Sequence, residues 1–372
     1  MQELKEKLQN DIETLRDPRG FLNAGIPRFN RLFGRDSLIS AWQLLNLDPS
    51  ICRVTLEILS RLQGRRFNKK TDEEPGKIIH ETYFGSRSKP PHHYFPMPYY
   101  GAIDSTPLYL IVFAMYLNKT KDYAFAKKHQ FHIAAAAELV AKRIKKDGFL
   151  YYQRGNRKGL FHQGWKDGFD DHLRIQPPVV IIEVQGYAYC ALRAAAQLLP
   201  QSFFDFLRLA QELKTRFAQS FWMPKQRYFA LALDGKDKQR TAITSNPGHL
   251  LFTGILKKDR AGLVVKKLFS PELWTKYGIR THGVNEPDFD AQSYHLGSVW
   301  PHDNWIIAQG LKKCGYPTEY QKVKNAILTA HKELGHIPEL YAVFPGGQLK
   351  EIPKACPIQA WASGAALQFI TE

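Results

Sequence analysis

Apolar residues recur every three or four positions through most of this 372-residue chain, which is the spacing of helices that pack one face into a core. Strand-like alternation is sparse, and we expect short hairpin strands only at 148–154 and 226–236. The chain is therefore predicted to be mainly helical. The apolar spacing predicts helices over 3–16, 36–46, 49–63, 104–118, 121–145, 178–198, 201–219, 246–256, 259–268, 302–313, 318–333 and 357–370.

The connections between these helices alternate between short and long. Short links such as "LDPS", "PQS" and "CGYPT" are typical of antiparallel neighbours. The remaining connections are long and rich in glycine, aromatic, histidine and acidic residues. Because successive helices reverse direction, the long connections must all emerge at one end, where the even-numbered helices begin.

This alternation predicts an all-α fold, an (α/α)6 barrel (a six-hairpin toroid) with minor β-hairpins in its rim loops. We expect residues 1–372 to form a single domain, since no linker or low-complexity tract divides them. A superhelical repeat array is the alternative, but the segments share no fixed repeat motif. In a barrel, the long connections would gather over a concave centre and form a pocket.

Composition limits the kinds of partner and the cellular location that we expect for this protein. The formal net charge of +17 keeps nucleic acid under consideration, but the basic residues are dispersed, and a solvated basic surface is the better interpretation. No run of about 18 apolar residues predicts a membrane span, and the first twenty residues do not resemble a signal peptide. We therefore expect a cytoplasmic protein with reduced, buried thiols. The four cysteines are Cys52, Cys190, Cys314 and Cys356.

The long loops carry carboxylates interleaved with aromatic residues. No glycine-rich phosphate loop, G-x-S-x-G elbow, H-E-x-x-H pair or C-x-x-C pair occurs, so no cofactor and no metal site is predicted. Aromatic faces can stack on sugar rings, and carboxylates accept hydrogen bonds from hydroxyl groups. Glycoside hydrolysis needs a carboxylic acid to protonate the leaving oxygen and a carboxylate to attack or to activate water.

Nine strings in these loops carry a family resemblance that runs from residue 24 to about residue 366. They are "AGIPRFNRLFGRDSLIS", "EPGKIIHE", "PYYGAIDSTPLYL", "GLFHQGWKDGFDD", "EVQGYAY", "SNPGHLLFTGI", "SYHLGSVWPHDN", "IPELYAVF" and "ACPIQAWASGA". The chain resembles the amylo-α-1,6-glucosidase (glycogen debranching enzyme-type) catalytic domain. It is also similar to the mannosylglycerate-hydrolase-like and processing α-glucosidase (α/α)6 glycoside hydrolases.

The resemblance implies an inverting hydrolase of α-glucosidic linkages, including α-1,6 linkages, in oligosaccharides or glycogen-like substrates. Asp167 in "QGWKDG" matches the general acid, and Glu339 in "IPELY" matches the general base. Arg35 and Asp36 would hold the hydroxyls of the sugar being cleaved. The further substrate-binding residues would be Asp104, Trp165, Trp300, His302, Asp303, Gln359 and Trp361.

Several local alternatives stay open at this point. Asp36 is also placed to be a helix N-cap, and Asp170 or Asp171 could be the acid in place of Asp167. Trp300 and Trp361 could be core residues, His80, His249 and His302 could be structural, and Glu183 and Gln185 could serve either helix packing or the pocket wall. We expect Lys166 to point away from the pocket, because its ammonium would oppose a raised pKa of Asp167.

Three whole-protein alternatives also remain: a non-catalytic carbohydrate-binding protein, a phosphorolytic (α/α)6 enzyme and a polyanion-binding module. The chain departs from the family pattern at Arg28, where an aromatic residue is common, and at Gly168, where a serine-like residue is common. Relatives carry a β-rich domain ahead of the barrel, and only about twenty residues precede it here. We therefore expect a small glycoside or oligosaccharide to be favoured over a long polymer.

Overall fold

The computed structural model describes residues 2–84 and 95–372 of the chain. Most of these residues lie in helices. The helices are α1 (Gln2–Leu15), α2 (Gly34–Leu44), α3 (Pro49–Arg61), α4 (Ser105–Thr120), α5 (Tyr123–Lys128), α6 (Gln130–Asp147), α7 (Ile182–Leu198), α8 (Phe203–Ser220), α9 (Leu250–Thr253), α10 (Lys258–Leu268), α11 (Pro301–Lys313), α12 (Pro317–Leu334) and α13 (Ala360–Thr371).

Helices α2, α4, α7, α9, α11 and α13 form a closed inner ring, because each contacts the next and α13 returns to α2. The other helices lie outside this ring, with α3 on α2, α6 on α4, α8 on α7, α12 on α11 and α1 on α13. The predicted (α/α)6 barrel is therefore confirmed. The superhelical array is wrong, because an open array would leave α2 and α13 apart.

The two layers differ in burial as their positions require. Inner helices such as α4 and α11 are buried on nearly all sides, whereas outer helices such as α8 bury one stripe and expose the rest. Local capping sets where the outer helix α3 begins. Asp48 accepts a hydrogen bond from the Ser50 backbone N–H at 3.0 Å ahead of α3, and Pro49 occupies the first helical position.

Two predicted helices are divided or shortened in the structure. The segment 121–145 is two helices, α5 and α6, separated at His129, whose ring packs on Phe125 at 4.5 Å. The segment 246–256 is a 3₁₀ turn, Asn246–His249, followed by the four-residue α9. Gly254 ends α9 in the left-handed region at φ +81°, which a helix cannot continue through.

The strands are short and lie in the rim loops, as predicted. They are β1 (Gly25–Ile26), β2 (Leu32–Phe33), β3 (Glu81–Thr82), β4 (Val180–Ile181), β5 (Trp222–Met223), β6 (Tyr228–Phe229), β7 (Ala232–Leu233), β8 (Gln239–Arg240), β9 (Trp274–Thr275), β10 (Gly278–Ile279), β11 (Tyr341–Val343), β12 (Leu349–Glu351) and β13 (Ile358–Gln359). All the pairs are antiparallel: β1 with β13, β2 with β3, β7 with both β4 and β8, β5 with β6, β9 with β10, and β11 with β12.

The predicted strand region 226–236 contains β6 and β7, but they pair with β5, β4 and β8 and not with each other. The prediction for 148–154 is wrong, because this segment makes only an isolated bridge from Tyr152 to Val179. Strands β2, β4 and β13 lead directly into α2, α7 and α13. These strand-to-helix junctions present the first turns of the inner helices to one end of the barrel.

In the described ranges, no helix combines the length and apolar content needed to cross a bilayer. Cys52 and Cys356 are buried, as predicted, and Cys190 is partly buried. Cys314 is exposed, contrary to the prediction, because it caps the C-terminal end of α11 just before the link to α12.

Candidate active site

The rim loops enclose a pocket of about 140 Å³ at the end of the barrel where the inner helices begin. Its wall combines carboxylates, two arginines, neutral imidazoles and aromatic rings. The residues that line it are Ala24, Phe29, Arg31, Phe33, Arg35, Asp36, His80, Glu81, Leu160, Trp165, Asp167, Phe169, Tyr294, His295, Trp300, Glu339, Gln359 and Trp361.

Both residues predicted to be catalytic and most of those predicted to bind substrate meet in this one pocket. The predicted residues that line it are Arg35, Asp36, Trp165, Asp167, Trp300, Glu339, Gln359 and Trp361. Asp104, His302 and Asp303 are fully buried and lie behind the lining residues. Their contacts with the lining residues show how each is connected to the pocket.

Asp167 is held by a cation. The Arg35 guanidinium donates from Nη2 to Asp167 Oδ2 at 2.5 Å, and from Nη1 to Asp104 Oδ2 at 2.9 Å. Burial raises the pKa of Asp167, and the nearby Arg35 opposes that rise without cancelling it. Asp104 therefore reaches the pocket only through Arg35, whose guanidinium it fixes.

A close backbone approach sets the position of Arg35. A Cβ at Gly34 would lie 2.1 Å from the Ile79 carbonyl oxygen, so only glycine lets β2 enter α2 this close to the neighbouring loop. Arg35 and Asp36 follow in the first turn of α2. The sequence analysis assigned Arg35 to sugar hydroxyls, whereas in the structure its terminal nitrogens bind two carboxylates.

Glu339 is held by neutral donors. Its Oε2 accepts a hydrogen bond from the Cys356 backbone N–H at 2.9 Å, and its Oε1 accepts one from the Tyr294 hydroxyl. Burial raises the pKa of Glu339 to about 7, although Tyr294, the Cys356 N–H and the charge of Arg28 all lower it. The side chain is buried, with 2% of its surface exposed.

Asp36 is not an N-cap. Helix α2 begins at Gly34, Phe33 is its N-cap residue, and no side-chain hydrogen bond caps it. The Asp36 carboxylate lies in the first turn and lines the pocket. Burial raises its pKa to about 7, with Arg35 lowering it and the charges of Asp167 and Glu339 raising it.

The histidines around the pocket are neutral near pH 7. Burial holds the pKa of His80 and of His295 well below the usual range, and the nearby charge of Arg35 lowers both further. A histidine that cannot take up a proton is a poor general base. The carboxyl groups are therefore better candidates for proton transfer in this pocket than the histidines are.

Aromatic rings line part of the pocket, and two of them stack on residues that do not line it. His302 stacks on Trp361 with ring centroids 3.8 Å apart and planes 6° apart, so it backs an indole that lines the pocket. Trp165 stacks on His249 at 5.8 Å, and His249 Nε2 is hydrogen-bonded to Asp303 Oδ1 at 2.7 Å. His302 and Asp303 thus act on the pocket through Trp361 and Trp165.

Strand β13 brings Gln359 to the wall through a tight pairing with β1. A Cβ at Gly25 would lie 1.6 Å from Gln359 Oε1, so any larger residue there would displace the Gln359 side chain from its present position. Gln359 Oε1 and the indole nitrogens of Trp165 and Trp361 are buried and have no hydrogen-bond partner within the described ranges. These three polar atoms are on side chains that line the pocket.

Four other residues for which the sequence left a pocket role open lie outside the pocket. Asp170 is exposed beside His172, and Asp171 binds His162 Nε2 at 3.0 Å, and neither lines the pocket. Glu183 and Gln185 are buried off the pocket: Glu183 accepts from Asn246 at 2.9 Å, and Gln185 bonds to the Leu150 backbone.

Lys166 points away from the pocket, as predicted. Its ammonium donates to the Thr281 carbonyl oxygen at 2.7 Å, and burial lowers its pKa to about 8. The cation that pairs with Asp167 is therefore Arg35, and not the adjacent Lys166.

Six charged or ring-bearing lining residues were missed by the sequence analysis: Phe29, Arg31, Phe33, Glu81, Tyr294 and His295. Arg31 and Glu81 form an ion pair at the pocket edge. Five of the six lie within the quoted strings "AGIPRFNRLFGRDSLIS" and "SYHLGSVWPHDN", and Glu81 is the last residue of "EPGKIIHE". The strings thus carried the signal, but nothing in them distinguished these residues from their neighbours.

A cluster of three potential metal ligands among the described residues lies outside this pocket. His282, Glu286 and Asp288 place one ligand atom each within 4.8 Å of one another. Asp288 is already paired with Arg240 at 2.6 Å and with His282 at 2.8 Å, and Glu286 accepts from the Ile243 backbone N–H. The cluster is thus occupied by protein partners.

Comparison with known proteins relates the sequence to one family over part of its length. The profile of the "Mannosylglycerate hydrolase MGH1-like glycoside hydrolase domain" matches residues 187–348. Mannosylglycerate hydrolase MGH1 of Selaginella moellendorffii is 32% identical over 96 residues, which are 26% of this chain and 20% of that protein. MGH2 of the same organism has the same identity over the same length, so the match spans only a fifth of each of these two relatives.

Solved structures match the fold over nearly the whole chain. An uncharacterized conserved protein from Thermus thermophilus has a TM-score of 0.75 and 16% identity, covering 99% of this chain and all of that one (100%). The GH63 mannosylglycerate hydrolase from the same organism, in complex with glucose, has a TM-score of 0.73 at 15% identity with the same coverage. The profile thus relates residues 187–348 to the MGH1-like glycoside hydrolase domain, and the solved structures share the (α/α)6 fold of this chain.

Proposed function

We propose that this protein is an inverting glycoside hydrolase acting on a small α-linked glycoside, with Asp167 as general acid and Glu339 as general base. One observation carries the proposal: both carboxyl groups line the same pocket, and burial raises the pKa of each. Two carboxyl groups in different environments are what glycoside hydrolysis requires. The neutral histidines nearby leave no competing proton donor of the usual kind.

The hydrogen bonds of Asp167 support its role as the acid. Arg35 binds Oδ2, which leaves Oδ1 to carry the proton toward the glycosidic oxygen. When that proton is transferred, Asp167 becomes an anion beside the Arg35 cation, so the charge that develops is stabilised. The same cation opposes protonation of Asp167, but burial outweighs it and the pKa of Asp167 is raised.

Glu339 is suited to accept a proton from water. A pKa of about 7 leaves the carboxylate ionised in a large fraction of molecules near neutrality and still basic enough to take the proton. Inversion requires the two carboxyl groups to lie roughly 6.5–9.5 Å apart, with the attacking water between Glu339 and the sugar. Water would then attack the anomeric carbon as the leaving oxygen takes the proton of Asp167.

The pocket favours a small substrate. Its volume of about 140 Å³ is below the roughly 300–1,000 Å³ of pockets for drug-sized ligands. The Trp165 and Trp361 indole nitrogens and Gln359 Oε1 are two donors and one acceptor without a protein partner in the described ranges; they are buried, so a sugar hydroxyl would reach them only after a small side-chain movement. Relatives named mannosylglycerate hydrolases make an α-glycoside of a small acid a natural candidate, beside the α-glucosides and α-1,6-linked oligosaccharides predicted from sequence.

Phosphorolysis is less well supported than hydrolysis. Phosphate is already a nucleophile and needs no general base, so the buried carboxyl group of Glu339, with its pKa raised to about 7, would have no role in phosphorolysis. A non-catalytic sugar-binding protein would gain nothing from two carboxyl groups with raised pKa values in one pocket.

The test is a panel of α-mannosides and α-glucosides of glycerate, α-1,4- and α-1,6-linked glucose oligosaccharides and glycogen. Proton NMR would follow the anomer first released, with and without phosphate. We expect phosphate-independent release of the β-anomer from at least one small α-glycoside, and little or none from glycogen. Release of the α-anomer would refute inversion, and binding without turnover across the panel would favour a carbohydrate-binding protein.

A further inference from the structure

Tyr294 makes a contact that the catalytic assignment does not explain. Its hydroxyl donates a hydrogen bond to Glu339 Oε1, the carboxylate oxygen that is not bound to the Cys356 backbone. Tyr294 also lines the pocket beside Glu339. No other side chain in the described part of the chain donates a hydrogen bond to this carboxylate.

The surrounding loop holds Tyr294 rigidly. Its carbonyl oxygen accepts hydrogen bonds from Trp300 Nε1 and from Ser298 Oγ, both at 2.9 Å. Its ring meets the Trp300 ring edge-on at 4.9 Å, with the planes 89° apart. The hydroxyl is thus placed by a tryptophan at the start of α11, and not by Glu339 alone.

The opposite end of the carboxylate is held by backbone. The Cys356 N–H donates to Oε2 at 2.9 Å, and the Glu339 N–H donates to the Cys356 carbonyl oxygen at 2.9 Å. An ionised carboxylate has about four acceptor positions on its two oxygens. The Tyr294 hydroxyl and the Cys356 N–H use two of these positions, which fixes the plane of the Glu339 carboxylate. The other two positions are left for water.

We propose that Tyr294 is a positioning residue for Glu339: its hydroxyl fixes the orientation in which the carboxylate meets the attacking water. This inference rests on the proposed function, since it assigns Tyr294 to the base of that reaction. Tyr294 does not exchange a proton with substrate. Its hydroxyl stays a donor throughout, since burial and the Glu339 charge hold its own pKa well above the usual range.

The contact has a measurable electrostatic consequence. A donor to the ionised form lowers the pKa of a carboxyl group, and Tyr294 does so for Glu339. Glu339 also faces the charges of Arg28, Asp167 and Asp36 and the thiol of Cys356. Removing the Tyr294 hydroxyl leaves all of these in place, so a change in the titration of Glu339 reports on this hydroxyl alone.

The experiment compares Tyr294→Phe with Tyr320→Phe. Tyr320 is a matched control because its hydroxyl also donates to a glutamate, Glu372, at 2.8 Å. Tyr320 lies on the outer helix α12, away from the pocket. The measurements are kcat and KM from pH 5 to 9 on the best small α-glycoside, with carbon-13 NMR titration of Glu339 assigned through Glu339→Gln. Phenylalanine keeps the ring that packs on Trp300, and the Tyr294 carbonyl contacts are unaffected by the change.

For Tyr294→Phe we expect kcat to fall about tenfold to a hundredfold with KM changed less than about threefold, as expected when a hydrogen bond to a charged group is lost. The acidic limb of kcat/KM and the NMR titration should both move up by about half a pH unit or more. Tyr320→Phe should leave all of these at the wild-type values.

Suppose that the wild type hydrolyses a glycoside, but that Tyr294→Phe moves neither the acidic limb of kcat/KM nor the titration of Glu339. That result would overturn the inference and leave the proposed function standing. An equal fall of kcat at every pH without a titration shift would mean a structural role and would also overturn it. Failure of the wild type to hydrolyse any glycoside would overturn both, and that outcome is visible before any variant is made.

Discussion

The two sides of the pocket hold their carboxyl groups by opposite means. On one side Asp167 is bound by the guanidinium of Arg35, which Asp104 holds in turn, and its side chain is 27% exposed. On the other side Glu339 is bound by two neutral donors, the Tyr294 hydroxyl and the Cys356 N–H, and is almost fully buried. In both places burial raises the carboxyl pKa.

If the proposed function holds, the difference teaches how one fold prepares two carboxyl groups for two tasks. A fixed cation next to Asp167 would stabilise the anion that remains after proton donation. Neutral donors next to Glu339 orient it without supplying a full charge, so it remains a base that can bind a proton. The contrast is electrostatic, and substitutions on each side should therefore have different signatures.

The largest effect should come from the two carboxyl groups themselves. Asp167→Asn and Glu339→Gln should each lower kcat on a natural glycoside by about 10²–10⁴-fold, the usual contribution of general acid or base catalysis. On a glycosyl fluoride, whose leaving group departs without protonation, Asp167→Asn should regain most of its activity and Glu339→Gln should not. The opposite pattern would exchange the two roles.

Next in size is the cation on the Asp167 side. Arg35→Met leaves the buried Asp104 without its counter-charge, and breaking a buried ion pair costs about 3–5 kcal/mol of unfolding free energy. Chemical denaturation would measure it. Asp104→Asn added to Arg35→Met should restore part of the loss. As a control, Arg16→Met removes a partly exposed ion pair with Asp48 and should cost about 1 kcal/mol or less of unfolding free energy. Equal losses in the two arginine variants would contradict the importance of the buried Arg35–Asp104 ion pair.

Asp36 lies between the two sides and should destabilise the fold at neutral pH. Its pKa of about 7 in the folded protein lies above the ordinary value of 3.8, so the folded state holds a proton that the unfolded state has lost between these pH values. The contribution of Asp36 to the free energy of unfolding is therefore most favourable below about pH 4 and becomes less favourable as pH rises toward 7. At about 1.4 kcal/mol per pKa unit, the cost at pH 8 is up to about 4 kcal/mol.

Asp36→Asn removes this ionisation, so its melting temperature should exceed that of the wild type at pH 8 and approach it near pH 4. Calorimetric scans across this range measure the difference. Asp205→Asn, at an exposed acid on α8, is the control and should show no such trend. A pH-independent difference in Asp36→Asn would contradict the buried-acid account.

The smallest effect should come from Arg28, on the Glu339 side. Its guanidinium donates to the Lys354 carbonyl oxygen, lies 5.8 Å from the Tyr294 ring and lowers the pKa of Glu339 by its charge. Arg28→Met should raise the acidic limb of kcat/KM by a few tenths of a pH unit, because a longer-range charge acts more weakly than a hydrogen bond. Added salt should shrink the shift, and a salt-independent shift would point to altered contacts.

Much of the fold was predictable because its signal is local. The alternation of short links and long connections is present in the chain order, and the closed ring follows from it. The errors were local conflicts: His129 divides a periodic segment, and Gly254 ends α9 after four residues. In both, a single backbone position overrode an apolar pattern that otherwise continued.

The candidate site was predictable in its members but not in their contacts. Asp167, Asp170 and Asp171 are nearly equivalent in sequence, yet only Asp167 lines the pocket. Asp104, His302 and Asp303 were expected on the wall and lie behind it, supporting Arg35, Trp361 and Trp165. Tyr294 was within a quoted string, but its contact with Glu339 had no sequence signature.

The sequence by itself determined the barrel, the end that carries the pocket and the loops that supply it, because apolar period and loop length are properties of neighbouring residues. Tertiary structure decided which side chains meet. Arg35 joins Asp104 and Asp167 across 69 and 132 positions, and Tyr294 joins Glu339 across 45. Such pairs, and the burial that raises their pKa values, arise only when the ring closes and brings distant loops over one centre.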